Sequence, residues 1–143
     1  MLTVSDLMTR KVFTLKRLDT LRDARSLMQL VRIRHIPIVD EDNTFRGLLT
    51  HRDILAATVS RLADVDEDLQ SELDAGIPIK EIMQTDVLTV SGDMPLRQAA
   101  QLLLDHKYGC LPVLDGKNLV GIVTEADFLR LTISLLDNLG CHS

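Results

Sequence analysis

The strongest constraint on the fold is an internal repeat, because the 143-residue chain carries one pattern twice. A shift of 75 residues places MTRKVFTLKRLDTLRDARSLM on MQTDVLTVSGDMPLRQAAQLL, and HIPIVD on CLPVLD. A shift of 74 residues then places GLLTHRDIL on GIVTEADFL. A chain of this length holds one compact domain, or two very small halves that share a core. The repeat favours two halves that are built alike.

Each copy predicts the element order β-α-β-β-α. The runs VFTL and VLTV are short, aliphatic and β-branched, which favours strands. Apolar residues recur with a period near 3.6 from Leu21 and from Leu96, so an amphipathic helix should follow in both copies. For the second of these helices we predict Asp93 as the N-cap and Pro95 in the first turn. Two strands follow, joined by DEDN or DGKN, which favour hairpin turns, and a last helix begins after the threonine that ends each hairpin.

Apolar residues spaced by three or four also run between the copies, through an acidic stretch that stops before Gly76 and Pro78. This spacing predicts a helical connector, which either packs on the module or forms a dimer surface. The segment ADFLRLTISLLDNL has the same two interpretations. We therefore expect a first repeat at 1–59, an acidic helical connector at 60–76, a second repeat at 77–136 and a tail at 137–143.

The triplet His51-Arg52-Asp53 is the opening of the protein-kinase catalytic loop, but the rest of that signature is missing. No glycine-rich loop precedes the triplet, and Thr58 stands where the signature needs an asparagine. The second copy keeps the aspartate and replaces the first two letters by Glu-Ala. The pattern that both copies share is G-h-h-T-x-x-D, where h is an apolar residue.

Thr-x-x-Asp at the end of a strand and the start of a helix has two interpretations. It is a near relative of the capping box, in which the threonine and the acidic residue satisfy each other's backbone N–H groups. Alternatively, the helix N-terminus and the hydroxyl bind a phosphate, while the aspartate accepts hydrogen bonds from a ribose diol. The sequence alone leaves both interpretations open.

Charge and aromatic content argue against nucleic-acid binding. The net charge is -5 and aromatic residues make up 3% of the chain, whereas binders of single strands combine a basic groove with stacking aromatics. Residues 1–36 carry eight Lys or Arg against three acids, and residues 60–81 carry seven acids against two bases. We interpret these segments as two solvated faces of opposite sign.

Several other classes are also disfavoured by the sequence. The two cysteines and four histidines have no spacing typical of a disulfide framework or a metal site. No nucleophile elbow is present, so we expect no enzyme. The N-terminus lacks the apolar core of a signal peptide, and no segment approaches the roughly 20 apolar residues of a membrane span. We therefore expect a soluble, cytoplasmic protein that binds neither nucleic acid nor a membrane.

The tandem pattern of hPVhD before a hairpin and GhhTxxD at its end resembles a pair of CBS domains, also called a Bateman module. The matching openings DLMTRKVFTL and EIMQTDVLTV strengthen the resemblance, which covers roughly 2–58 and 77–135. It implies an α+β fold of two β-α-β-β-α repeats related by pseudo-two-fold symmetry. It also implies a disc-like homodimer with clefts between the repeats for AMP, ADP, ATP or S-adenosylmethionine.

The resemblance assigns roles residue by residue. Asp53 and Asp127 would hold ribose hydroxyls, and Thr50 and Thr124 would contact phosphate or ribose. The remaining expected contacts are apolar or hydroxyl side chains that line or border the same clefts: Leu48, Ile122, Thr14, Thr89, Ile36 and Leu111.

The copies differ just before the proline, where the first has Arg32, Arg34 and His35. In similar proteins basic residues at the positions just before this proline reach nucleotide phosphates, so we expect a polyphosphate to favour Arg34 and His35, in a cleft completed by Asp127. Two functions remain: a ligand sensor that acts on a regulated protein or through its own oligomer, and an interaction scaffold whose Thr-x-x-Asp boxes are only helix caps.

Overall fold

The computed structural model describes residues 1–59, 72–106 and 109–140, and most of the predicted connector lies outside these ranges. The helices are α1 (Val4–Leu7), α2 (Leu21–Val31), α3 (His51–Val59), α4 (Leu96–Asp105) and α5 (Glu125–Asn138). The strands are β1 (His35–Val39), β2 (Phe45–Thr50), β3 (Val90–Ser91), β4 (Cys110–Asp115) and β5 (Asn118–Thr124). Residues 72–75 are helical, and a short 3-10 helix spans Ile79–Glu81. This is the expected mixed α and β fold.

The chain forms two compact units that divide it differently from the sequence repeats. The central unit is the continuous stretch Phe13–Val87. The other unit combines Met1–Val12 with Leu88–Ser143, and we call it the terminal unit. The first segment of each repeat therefore packs on the hairpin of the other repeat: residues 77–87 lie in the central unit, and residues 1–12 lie in the terminal unit.

In the central unit α2 and α3 cover one face of the β1–β2 hairpin. The strands pair antiparallel, with Ile36 opposite Leu49 and Ile38 opposite Gly47. The side chains of Ile36, Ile38 and Leu49 are fully buried in a core with Leu21 and others from the two helices. The amphipathic helix predicted from Leu21 is confirmed, and its period of 3.6 is what places the apolar face on the sheet.

The terminal unit repeats this arrangement. β4 and β5 form an antiparallel hairpin in which Leu111 lies opposite Val123, and both residues belong to a core with α1 and α4. The turns of both hairpins require left-handed backbone, which Asn43 (φ 68°) and Gly116 (φ 64°) supply. The predicted hairpins are confirmed.

Two local predictions are wrong. VFTL does not form a strand: only Leu15 makes a parallel bridge, to Ile38. In the second copy the strand shortens to Val90–Ser91. The predicted cap Asp93 accepts a hydrogen bond from the Ser91 hydroxyl instead, and Pro95 is the N-cap of α4. A proline suits this position because its fixed φ and missing N–H cost nothing at a helix start.

Candidate functional site

Both Thr-x-x-Asp motifs form the capping box that the sequence predicted as one of two alternatives. At the start of α3, the Thr50 N–H donates to Asp53 Oδ2 at 2.8 Å, and the Asp53 N–H donates to Thr50 Oγ1 at 3.1 Å. At the start of α5, the equivalent distances for Thr124 and Asp127 are 2.9 and 3.4 Å. The box fixes each carboxylate at the junction of the hairpin and the helix.

The second carboxylate oxygen of each aspartate accepts a hydrogen bond from the first segment of the other repeat. Asp53 Oδ1 accepts from Gln84 Nε2 at 2.9 Å, and Asp127 Oδ1 accepts from Thr9 Oγ1 at 3.2 Å. Arg130 Nη1 adds a further hydrogen bond to Asp127 Oδ1 at 3.0 Å. Asp127 is 5% exposed, so these donors supply the partners that a buried charge requires.

Thr9 and Gln84 are site residues that the sequence analysis missed. They occupy equivalent positions in the two copies, since they lie 75 residues apart. Each makes a two-bond backbone bridge to a hairpin, Thr9 to Ile122 and Gln84 to Leu48, with N···O distances of 2.8 to 3.0 Å. Their equivalent positions in the two copies could have indicated a shared role, but a threonine and a glutamine do not form a recognisable repeated motif.

The first backbone N–H group of α3 and that of α5 each donate a hydrogen bond within the protein. The His51 N–H donates to the Arg34 carbonyl oxygen at 2.8 Å, and the Glu125 N–H donates to the Gly109 carbonyl oxygen at 3.3 Å. The same Thr-x-x-Asp box begins α2, where the Thr20 N–H donates to Asp23 Oδ2 at 3.0 Å. Because α2 does not follow a hairpin, this capping box is not confined to the two hairpin motifs.

The apolar residues predicted to line the clefts fall on two different faces of the sheets. Ile36 and Leu111 are 0% and 1% exposed and belong to the cores beneath the helices, and their role at the clefts stays a prediction. Leu48 and Ile122 directly precede Leu49 and Val123, the strand partners of Ile36 and Leu111. Because successive side chains of a strand point to opposite faces, Leu48 and Ile122 lie on the faces of the hairpins away from the cores. Both are buried, at 0% and 8% exposure.

The remaining predicted residues are partly or fully exposed. Thr14 and Thr89 are half-buried and precede the residues that bridge to the hairpins. His35 is half-buried at the start of β1, and Arg34 is exposed beside it. Arg34 and His35 lie in the central unit and Asp127 lies in the terminal unit, so their pairing in one cleft stays a prediction.

Cys110 begins β4 and packs inside the terminal unit, where it is 1% exposed. Burial raises the pKa of its thiol far above the usual value, and the negative charge of Asp127 raises this pKa further. The side chain therefore stays protonated and acts as a small apolar core residue, since the nucleophilic form of cysteine is the thiolate.

Within the described ranges, no three His, Cys, Asp or Glu side chains are grouped as a metal ion would require. Among the helices described, none is both long enough and apolar enough to cross a membrane.

Comparison with known proteins agrees with the repeat and the fold. The family model of the CBS domain matches residues 4–60 and 79–134. The chain is similar to the crystal structure of the protein AcuB from Vibrio cholerae, with 40% identity, a TM-score of 0.83, and coverage of 100% of this chain and 98% of that one.

Two similar structures contain adenine compounds. The protein CBSX2 from Arabidopsis thaliana, in complex with AMP, is 27% identical with a TM-score of 0.80, covering 94% of this chain and 98% of that one. The CBS domain pair of protein MJ0100, in complex with 5'-methylthioadenosine and S-adenosyl-L-methionine, is 27% identical with a TM-score of 0.76, covering 93% and 97%. With two matched repeats, a hairpin-and-helix unit for each and these structural neighbours, the chain belongs to the CBS domain family as a tandem CBS pair.

Proposed function

We propose that this CBS pair is a cytoplasmic regulatory module that binds an adenine-containing ligand and passes the bound state to a partner protein or through its own oligomer. A module of this kind acts by binding one conformation better than another, which shifts their populations. It needs no catalytic group, and we assign it none. The ligand class is supported by the complexes of CBSX2 with AMP and of MJ0100 with 5'-methylthioadenosine and S-adenosylmethionine.

The observation that carries the proposal is that the two carboxylate oxygens of each motif aspartate have different roles. Oδ2 of Asp53 and of Asp127 caps a helix, while Oδ1 accepts side-chain hydrogen bonds, from Gln84 Nε2 in one case and from Thr9 Oγ1 in the other. A ribose hydroxyl can replace an amide or hydroxyl donor at Oδ1 without disturbing the cap. The same carboxylate can therefore begin the helix and hold a ribose. We further propose Thr50, Thr124, Thr14, Thr89, Leu48 and Ile122 as neighbouring contacts, with His35 and Arg34 for the phosphates of the longer nucleotides.

Calorimetric titration of the protein with AMP, ADP, ATP and S-adenosylmethionine tests the proposal. We expect at least one of these compounds to bind in the micromolar to millimolar range. Asp127→Asn should weaken the binding by about tenfold or more, because it removes a charged acceptor of a ribose hydrogen bond. The corresponding change Asp53→Asn tests the second site in the same way.

Asp23→Asn is the matched control, because Asp23 caps α2 by the same geometry outside the predicted ligand contacts. It should lower stability through the weakened cap and leave ligand affinity unchanged. If none of the four compounds binds, or if Asp127→Asn and Asp23→Asn affect binding equally, the ligand proposal is wrong. The capping box at α2 favours the second candidate, an interaction scaffold, and in that case Asp127→Asn would change stability alone.

We also propose that the module is a homodimer that uses the outer face of α5. Leu129, Ile133 and Leu136 are 64%, 59% and 44% exposed and follow one another by four and three residues, so they form an apolar stripe. We expect the double variant Leu129→Gln/Ile133→Gln to sediment as a monomer and the unaltered protein as a dimer. Leu104→Gln on α4, which is also exposed, is the control. A monomeric unaltered protein would contradict the proposal.

A further inference from the structure

The two motif aspartates differ in the side chain that donates to their second carboxylate oxygen. Gln84 Nε2 donates to Asp53 Oδ1 at 2.9 Å, whereas Thr9 Oγ1 donates to Asp127 Oδ1 at 3.2 Å. The first distance is the usual one for an N–H···O hydrogen bond, and the second exceeds the range of about 2.5 to 3.0 Å that is typical of O–H···O bonds. The amide of Gln84 therefore holds its carboxylate more firmly than the hydroxyl of Thr9 does.

The backbone of Gln84 keeps its side chain beside Asp53. Leu48 and Gln84 exchange two backbone hydrogen bonds, each with an N···O distance of 2.9 Å. The amide is thus always within reach of Asp53 Oδ1, and a ribose hydroxyl has to displace it in order to bind there. An internal competitor of this kind lowers the apparent affinity of a ligand in proportion to the fraction of time for which the site is free.

Thr9 is the weaker competitor because of its exposure and its chemistry. Thr9 is exposed, whereas Gln84 is half-buried, so water solvates the Thr9 hydroxyl as soon as a ligand displaces it. A hydroxyl also both donates and accepts hydrogen bonds, so Thr9 Oγ1 can rotate and accept from the ribose hydroxyl that replaces it. The amide nitrogen of Gln84 can only donate, and the whole amide group has to reorient.

Arg130 adds a charged donor to Asp127 Oδ1 at 3.0 Å, but this donor is easily displaced. The side chain of Arg130 is 72% exposed, and ion pairs at such exposed positions contribute little because water competes for both charges. The guanidinium can extend into solvent when a ribose hydroxyl binds. The equivalent residue of the first repeat, 74 positions earlier, is Ala56, so the surroundings of the two aspartates differ here as well.

We propose that residues 9 and 84 set the order in which the two aspartates take an adenine-containing ligand. Thr9 leaves Asp127 available, whereas the amide of Gln84 takes the place of a ribose hydroxyl at Asp53. This inference rests on the proposed function, because it requires ribose hydroxyls at Oδ1. Ligand should fill the site of Asp127 at a concentration about tenfold lower than the site of Asp53, which is the factor expected from one well-formed hydrogen bond to a charged group. The module would then respond in two steps to a rising ligand concentration.

A heteronuclear NMR titration with AMP, ADP, ATP and S-adenosylmethionine, one at a time, tests this order. The backbone N–H groups of Thr124 and Thr50 donate to Asp127 and Asp53, so their resonances report on the two sites separately. With a compound that binds, the Thr124 resonance should reach its midpoint at about tenfold lower concentration than that of Thr50. The side-chain amide resonance of Gln84, assigned by its absence in Gln84→Thr, should shift together with Thr50.

Exchanging the two side chains should reverse the order of the sites. Gln84→Thr should lower the midpoint of Thr50 by about tenfold and leave that of Thr124 in place, while Thr9→Gln should raise the midpoint of Thr124 by about tenfold. The double variant Thr9→Gln/Gln84→Thr should therefore fill the site of Asp53 first. A purely structural role of these residues would not raise affinity at one site and lower it at the other.

Gln101→Thr is the matched control, since Gln101 Nε2 donates to Asp105 Oδ1 at 3.1 Å on α4, outside the proposed ligand contacts. It should change neither midpoint. Equal midpoints for Thr50 and Thr124 in the unaltered protein, or midpoints that the two substitutions leave in place, would overturn the inference and leave the adenine proposal intact. If none of the four compounds shifts a resonance of the unaltered protein or of Gln84→Thr, both are wrong.

Discussion

Gly47→Ala should lower the free energy of unfolding by about 3 kcal/mol. A Cβ at this position would lie 2.5 Å from the backbone carbonyl oxygen of Gln84. That oxygen accepts the Leu48 N–H at 2.9 Å, and the Gln84 N–H donates back to Leu48 at the same distance. Because the clash is with backbone, the segment must move away from the hairpin and give up both hydrogen bonds. The contact of Gln84 with Asp53 should be lost with them.

Urea denaturation of the variant and of Gly76→Ala measures this effect. The nearest atom to a Cβ at Gly76 is the Leu73 carbonyl oxygen, at an ordinary 3.5 Å, so this control should change stability by less than about 0.5 kcal/mol. In the terminal unit, a Cβ at Gly121 would lie 2.9 Å from the Thr9 carbonyl oxygen, and Gly121→Ala should behave like Gly47→Ala. If Gly47→Ala is as stable as Gly76→Ala, the segment around Gln84 does not pack closely enough on the hairpin for the added Cβ to clash.

The second large effect is expected at the ion pair between Arg25 and Asp74. Asp74 is 1% exposed, and its Oδ2 lies 2.7 Å from Arg25 Nε. Arg25→Met would leave the buried carboxylate without this cation, which costs about 3 kcal/mol for pairs of this kind. The side chain of Arg25 is 26% exposed, so water offsets a part of the loss. We expect a decrease of about 2 kcal/mol in the free energy of unfolding.

A double-mutant cycle isolates the pair. Arg25→Met/Asp74→Leu replaces both charges by apolar groups and should recover most of the stability that Arg25→Met loses. Lys16→Met breaks the ion pair of Lys16 with Glu41, in which the two side chains are 48% and 88% exposed, and should cost less than about 1 kcal/mol. If Arg25→Met costs no more than Lys16→Met, the buried carboxylate draws its stabilisation from elsewhere.

The helices and hairpins could be predicted because their patterns are local. The period of 3.6 from Leu21 and the left-handed residues at the hairpin turns carry the same information in the sequence and in the structure. The strand predicted at VFTL failed because a β-branched run indicates an extended backbone but does not supply a partner strand. Only Leu15 finds a partner, at Ile38.

The candidate site was predictable only in part. The Thr-x-x-Asp boxes could be read from the sequence, since the cap joins residues three positions apart. The second partners of the carboxylates could not, because Asp127 is 118 positions from Thr9, and no local pattern indicates on which hairpin a preceding segment packs.

Residues 1–12 belong to the terminal unit and residues 77–87 to the central unit, so the two repeats exchange their first segments. This exchange also sets an order in which the units can form during synthesis. The central unit is one continuous stretch, so it is complete once Val87 has left the ribosome. The terminal unit needs Met1–Val12 together with the chain from Leu88 onward. Its first piece must therefore wait, unpaired, while the central unit folds and the rest is translated. Domains that emerge first generally fold first, and here residues 1–12 join a unit that is completed only after the central unit, although they are translated before it.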